Sequence, residues 1–155
     1  MIEIVYLDEV PGAVEVLAPA FWAEWGVHDG LSLEQVTAKL RACLNREHLP
    51  LALAAREGGE LVGTVGLHDR PVVGRAGLGP WLVALWVAPR HRRRGLGAEL
   101  IAAAERTAQE LGIGELYAAT STAVGLFQRA GWGELERFAH NGEDLSLFHR
   151  RLPGR

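Results

Sequence analysis

The sequence predicts an α/β fold of the α+β type: a mixed central sheet of about seven strands flanked by four helices, in the order β-α-α-β-β-β-α-β-α-β-β. Three observations lead there. Short apolar runs bounded by glycine, proline or charged residues alternate with longer stretches of helical periodicity, with neither linker nor repeat between them. Two tight-turn signals, Glu57-Gly58-Gly59 and Asn141-Gly142, fold neighbouring runs into antiparallel hairpins. Finally, the run Trp81–Val87 reaches Glu115–Thr120 only through a helix, and a helical crossover makes two strands parallel.

Each element has its own signal. Residues 2–7 form a first strand, and Pro11-Gly12 starts a helix to about Trp25 with Val14, Leu17, Ala18 and Phe21 on one face. Gly26 and Gly30 bracket a loop. Ser32-Leu33-Glu34-Gln35 then has the form of a capping box, predicting a second helix through Arg46. Residues 51–56 and Glu60–His68 are the strands of the first hairpin, and a glycine-rich loop over residues 70–80 leads to Trp81–Val87. A helix from about Gly95 to Leu111 stops at Gly112, a residue suited to the left-handed position after a helix end. Glu115–Thr120, a short helix over residues 123–129 and the last hairpin complete the order.

Length and composition bound the function. A chain of 155 residues suits one domain, 1–155, large enough to bury a core without staples. A net charge of −3 argues against a general nucleic-acid binder, although Arg90, Arg92, Arg93 and Arg94 cluster locally. Cys43 is the only cysteine, so no intrachain disulfide forms, and a cytoplasmic setting is expected. The first residues enter a strand pattern directly and no apolar run nears the roughly 20 residues of a membrane span, so neither a leader nor a membrane partner is expected. The six histidines show no spacing typical of zinc, and no metal is expected.

The most informative stretch runs from Val87 to Leu100. An apolar strand passes into an arginine-rich turn with two glycines, and the turn opens a long amphipathic helix. The first turn of a helix leaves about four N–H groups without partners and adds roughly half a positive charge, which together suit a pyrophosphate. Gly95 and Gly97 would let the backbone approach such a ligand, and the arginines would add charge-assisted bonds. Two better-known phosphate loops are excluded. A dinucleotide fingerprint starting at Gly95 needs glycine where Leu100 stands, and a P-loop needs Gly-Lys followed by Ser or Thr.

What remains, Arg92-x-x-Gly95-x-Gly97 after a Val-x-Pro strand end, resembles the acyl-coenzyme A pyrophosphate loop of the GNAT N-acetyltransferase superfamily, whose pattern is Arg or Gln, two residues, Gly, one residue, Gly or Ala. Ala123 to Gly131-Trp132 resembles the short helix and Gly-aromatic step that close that family's cofactor site. The resemblance implies an N-acetyltransferase that moves the acetyl group of acetyl-CoA directly to a primary amine in a ternary complex. It implies that Trp81–Val87 and Glu115–Thr120 splay apart, with the pantetheine arm pairing on the backbone of Leu85, Trp86 and Val87. A backbone N–H near Leu85 or Trp86 would polarise the thioester carbonyl. Arg92, Arg93, Arg94, Gly95, Leu96, Gly97 and Ala98 would hold the pyrophosphate, with Ser121, Thr122 and Phe127 lining the rest of the cofactor site.

Two departures bear on catalysis. Relatives place a glutamate base on the strand that ends in the loop, whereas residues 81–85 hold no carboxylate; His68 and Asp69, at the end of the preceding strand, are the nearest substitutes, acting through water. Relatives often use a tyrosine in the short helix to protonate the thiolate, and here Phe127 cannot, which leaves Tyr117, Ser121, Thr122 or water. The acceptor, a small molecule or a peptide amine, is expected opposite the cofactor. There Trp22, Trp25, His28, Asp29, Trp81, His140 and Glu143 would offer aromatic walls and carboxylates to a cation. The alternative is an acyl-CoA-binding sensor or interaction module that kept the loop and lost the chemistry. A homodimer through the edge of the final hairpin is a further expectation.

Overall fold

A computed structural model describes residues 1–153. One sheet holds seven strands: β1 (Ile2–Tyr6), β2 (Leu51–Glu57), β3 (Glu60–His68), β4 (Trp81–Val87), β5 (Glu115–Thr120), β6 (Gly133–His140) and β7 (Glu143–Arg151), in the order β1-β2-β3-β4-β5-β7-β6. Every neighbouring pair is antiparallel except β4 and β5. The helices are α1 (Ala13–Phe21), α2 (Leu33–Ala42), α3 (Leu96–Glu110) and α4 (Val124–Arg129). Class, strand count, element order and the parallel pair are those expected from the sequence.

Strand alternation distributes side chains to two layers. On one face α3 and α4 bury Leu100, Ile101, Ala104 and Phe127 against Val65, Leu67, Leu82, Leu116 and Phe148. On the other, α1 and α2 bury Leu17, Phe21, Val36 and Leu40 against Ala52 and Ala54. The residues that β2 turns toward α1 and α2 are small, and the layer above them is filled less completely.

Two helix ends differ from expectation. The first helix keeps α geometry only to Phe21; from Trp22 to Gly26 it widens into a π turn, closed by the Val27 N–H on the Trp22 carbonyl at 2.8 Å. The second stops at Ala42, four residues before Arg46. Asn45 explains the stop, because its amide donates to the Pro50 carbonyl at 2.7 Å while its side-chain oxygen accepts the Glu47 and His48 N–H groups. A side chain that supplies the backbone with local partners competes with the helix. The loop over residues 69–80 crosses toward β6, where Arg75 pairs with Glu136 at 3.0 Å and stands 4.5 Å over the Phe138 ring.

Candidate functional site

β4 is held very differently along its two edges. Toward β3 its register runs from His68↔Trp81 to Gly63↔Val87, whereas toward β5 the one register pair among the described residues is Trp81↔Tyr117, sealed by the Tyr117 N–H on the Pro80 carbonyl at 3.0 Å. Beyond that rung the parallel strands separate. A bulge lies where they do so: between the pairs Gly66↔Val83 and Thr64↔Trp86, β4 has one residue more than β3. Ala84 takes a left-handed φ of 53°, and the buried Thr64 hydroxyl donates to its carbonyl at 3.0 Å. A bulge bends its strand and increases local twist, which turns the upper half of β4 away from β5. Leu85, Trp86 and Val87 lie in that upper half and are partly exposed, with the Trp86 side chain turned toward Phe21 of α1.

The loop after β4 is built to expose amides. The Arg92 guanidinium folds back, its Nε donating to the Val87 carbonyl at 2.8 Å, so this side chain braces the turn as well as bringing charge. Arg93 has a φ of 65° and Gly95 one of 84°, and Gly95 caps α3 with no side chain of its own. The first helical bond is Glu99 N–H to Gly95 C=O at 3.2 Å, so the amides of Leu96, Gly97 and Ala98 precede it. Arg94 and Ala98 are exposed beside them. A Cβ at Gly97 would come within 2.8 Å of the Leu126 side chain, so this glycine also gives α4 room to pack. The free amides, the left-handed cap and the neighbouring gap fit a diphosphate joined to an extended arm.

Around the end of β5, the Ser121 hydroxyl donates to the Glu143 carboxylate at 2.8 Å, bringing the final hairpin against the gap, and Thr122 is exposed beside it. His140 pairs with Glu143 across the Asn141-Gly142 turn. Two expected cofactor-side roles do not survive. Phe127 is 2% exposed, stacked on Phe148 at 5.5 Å and edge-on to Trp132 at 5.0 Å, so its ring belongs to the core and not to a pantetheine channel. Tyr117 sits at the paired end of the strands, its hydroxyl directed to Glu115 at 3.5 Å and its ring against His149, away from any thiolate in the gap. Burial and Glu115 also push its phenol up, making it a poorer acid.

On the acceptor side, Trp81 leaves the expected aromatic wall, while Trp22 and Trp25 stay partly exposed. Trp81 is fully buried, with its indole N–H on the Leu78 carbonyl at 3.0 Å, and cannot line an open pocket. Trp22 donates to the Leu31 carbonyl at 2.8 Å, and Trp25 packs edge-on to Phe21 at 4.9 Å. Both organise the α1–α2 connection, where His28 and Asp29 stand exposed. What lies over the bulge is instead a cavity of about 50 Å³ between the sheet and α1 and α2. Its floor is made of residues with little or no side chain, Ala52, Gly66 and Ala84, beside Thr64; its roof includes Leu17, Phe21, Leu40 and Cys43, and His68 closes one side. At about 24 cal/mol per Å³, such a void costs roughly 1 kcal/mol of stability.

His68 stands half-buried at the end of β3. Its Nδ1 is buried without a hydrogen-bond partner, and burial, reinforced by the charge of Arg70, holds the imidazole below the ordinary histidine range. Asp69 is exposed next to it. Among the described residues no group of three or more His, Cys, Asp or Glu side chains stands close enough to share a metal ion, and no helix is long and apolar enough to cross a membrane. Sequence reasoning missed Thr64, Ala84 and the small-residue floor. Alanine in an apolar strand gives no sign of a left-handed bulge.

Residues 14–132 match the Acetyltransferase (GNAT) family. No functionally curated protein matches the chain. Among solved structures, an aminoglycoside 6'-N-acetyltransferase complexed with coenzyme A superposes with a TM-score of 0.77 at 16% identity, over 99% of this chain and 98% of that one. A Salmonella typhimurium protein, yncA, with its cofactor acetyl-CoA, reaches 0.74 at 16% identity over 100% and 96%. A GNAT-family acetyltransferase from Streptococcus pneumoniae reaches 0.69 at 22% identity over 99% and 100%. At these identities the likeness is one of fold.

Proposed function

The chain belongs to the GNAT acetyltransferase family, and from that premise we propose that it transfers the acetyl group of acetyl-CoA to a primary amine, both substrates being bound together. The observation that carries this reading is the single rung between β4 and β5, which leaves a gap opening directly onto the uncapped first turn of α3. The amides of Leu96, Gly97 and Ala98 bind the diphosphate, assisted by Arg93 and Arg94, and the backbone of Leu85, Trp86 and Val87 pairs with the arm. When bound, the donor supplies a thioester whose carbon accepts the amine lone pair; the C–N bond forms, the C–S bond breaks and the thiolate leaves. A backbone N–H at Leu85 or Trp86 holds the carbonyl oxygen as negative charge develops there. His68, neutral and on the face of the sheet opposite α3, takes the amine proton. Ser121 or water attends the thiolate, which with a pKa of about 8.5 needs little assistance.

A second reading has specific support: β4 carries no carboxylate and Phe127 is in the core, as in a module that binds acyl-CoA without turning it over. Calorimetry with CoA and acetyl-CoA, followed by thiol release over a panel of amines, separates the two. Binding with turnover supports the enzyme, and binding without turnover of any amine supports the sensor. No heat with either ligand removes both.

A further inference from the structure

The turn between β4 and the bare start of α3 buries one of its side chains. Residues 90–94 read Arg-His-Arg-Arg-Arg, and the four arginines are exposed while His91 is 8% exposed. Main-chain bonds tie this turn to what precedes it: the Ala88 N–H donates to the Val62 carbonyl of β3 at 2.8 Å, and the His91 N–H donates to the Ala88 carbonyl at 2.8 Å. Two side chains reach the β2–β3 turn, whose ends are Glu57 and Glu60. Arg90 pairs with Glu60 at 2.7 Å on the surface, where such a pair contributes little. His91 Nδ1 faces Glu57 Oε1 at 4.0 Å and has no hydrogen-bond partner.

We propose that His91 is a positioning residue for coenzyme A: its ring pins the turn on the β2–β3 hairpin and so sets where Arg93, Arg94 and the amides of Leu96, Gly97 and Ala98 meet the diphosphate. The inference rests on the cofactor reading of this loop and extends it to a residue outside the diphosphate contacts. Packing alone does not call for histidine, because an apolar ring of similar size fills the same space without burying an unpaired nitrogen. Glu57 supplies the reason. Its side chain is 44% exposed and free to adjust, and a shift of about 1 Å brings its oxygen to hydrogen-bond length from an Nδ1–H. Next in the chain, Arg92 is braced on the Val87 carbonyl, so the segment is held at two points, one on β4 and one on the hairpin. A loop already held in its binding shape loses little conformational freedom when the ligand arrives. The pinned segment lies beyond the amides of Leu85 and Trp86, so its effect falls on affinity for the donor and not on acetyl transfer.

The test is calorimetry with CoA, paired with kcat and the acetyl-CoA KM on an amine that the protein turns over. His91→Phe keeps a ring and removes both nitrogens; it should raise the CoA dissociation constant roughly tenfold, the order of one hydrogen bond to a charged group. The acetyl-CoA KM should rise with it while kcat at saturation stays within about twofold, the split expected when binding alone is lost. Glu57→Ala should weaken CoA about as much, and the double variant no further, because the two side chains act as one contact. His91→Gln, whose amide can still donate to Glu57, should bind CoA within about twofold of wild type. A side chain that only filled space would rank Phe above Gln. If His91→Phe does not melt cooperatively, Glu57→Ala at its partly exposed position carries the test, and where no amine is turned over the dissociation constants decide alone. Unchanged affinity in folded His91→Phe or in Glu57→Ala, additive losses in the double variant, tighter binding by Phe than by Gln, or a fall in kcat with KM unchanged overturns the proposal. In those cases CoA binding by the wild type leaves the donor site standing and only the role of His91 is lost; if the wild type does not bind CoA, the cofactor reading falls and this inference with it.

Discussion

Two helices of this molecule begin in opposite ways. α2 is closed by its own side chains: the Ser32 hydroxyl accepts the Gln35 N–H at 3.1 Å, and the Gln35 side chain returns to accept the Ser32 N–H at 2.8 Å. α3 is the longer and more deeply packed helix, yet it starts on a left-handed glycine with no side-chain cap. Capping typically stabilises a helix by ~1 kcal/mol. α3 does without it because burial of Leu96, Leu100, Ile101 and Ala104 already holds the helix. An uncapped terminus next to a gap in the sheet leaves its amides to a ligand, and a capped terminus on the surface does not.

The comparison breaks most completely if α3 is given what α2 has. Gly95→Asp places a capping carboxylate among the free amides, in a left-handed conformation that aspartate tolerates better than most residues. It should raise the CoA dissociation constant by roughly 100-fold or more, from lost charge-assisted bonds and new repulsion, while the strain of the left-handed position, roughly 1–2 kcal/mol, lowers the melting temperature by a few degrees and leaves the protein folded. Calorimetry and a melt on the same sample check this, and unchanged affinity would show that the first turn of α3 holds no phosphate.

His68→Ala comes next, with an expected fall in kcat of about 10²–10⁴ and unchanged affinity for CoA. The sign of the pH dependence follows from the environment of the ring. Burial and Arg70 hold its pKa below the ordinary value, so the imidazole is already neutral at pH 7 and above, and activity is lost as pH falls through the depressed pKa. The acid limb of the kcat profile should therefore lie below about pH 6.5. A limb above that value, or one that persists in His68→Ala, assigns the proton to another group.

The difference between the two termini was legible in the sequence, because both signals are local. Ser32 followed by Gln35 is a cap wherever it occurs, and Arg92-x-x-Gly95-x-Gly97 between an apolar strand and a helix marks a bare first turn. Strand bounds at Glu60–His68, Trp81–Val87 and Glu115–Thr120 were legible for the same reason, since alternation and turn residues act over a few positions. The bulge was not. Ala84 adopts a left-handed φ because Thr64, twenty residues away, fixes its carbonyl, and nothing in Val83-Ala84-Leu85 announces that partner. The roles of Trp81 and Phe127 failed similarly. Aromatic residues near a cleft look alike in sequence whether their rings face the cleft or the core, and only packing against Tyr117, Trp132 and Phe148 decided them.

Thr64→Val tests the bulge with an intermediate effect. Removing the hydroxyl leaves the Ala84 carbonyl without its donor, at an expected ~1 kcal/mol of stability. If the bulge aims the β4 amide at the thioester, kcat should fall roughly tenfold, in line with the loss of about 1.4 kcal/mol of transition-state stabilisation. Loss of stability with kcat intact would make the bulge a packing feature only.

The smallest expected effect comes from Ser32→Ala, and it is the control that the comparison requires. The substitution removes the hydroxyl from the capping box of α2, costing about 1 kcal/mol of stability. α2 roofs the cavity through Leu40 and Cys43 but makes no part of the turn that opens α3. The dissociation constant for CoA should therefore match wild type, while the melting temperature falls by a few degrees. The two termini are then energetically separate, one serving the fold and the other the ligand. Should Ser32→Ala weaken CoA binding as much as it weakens the fold, the amides of α3 would owe their order to the whole domain, and the contrast between a capped and an open helix would lose its functional meaning.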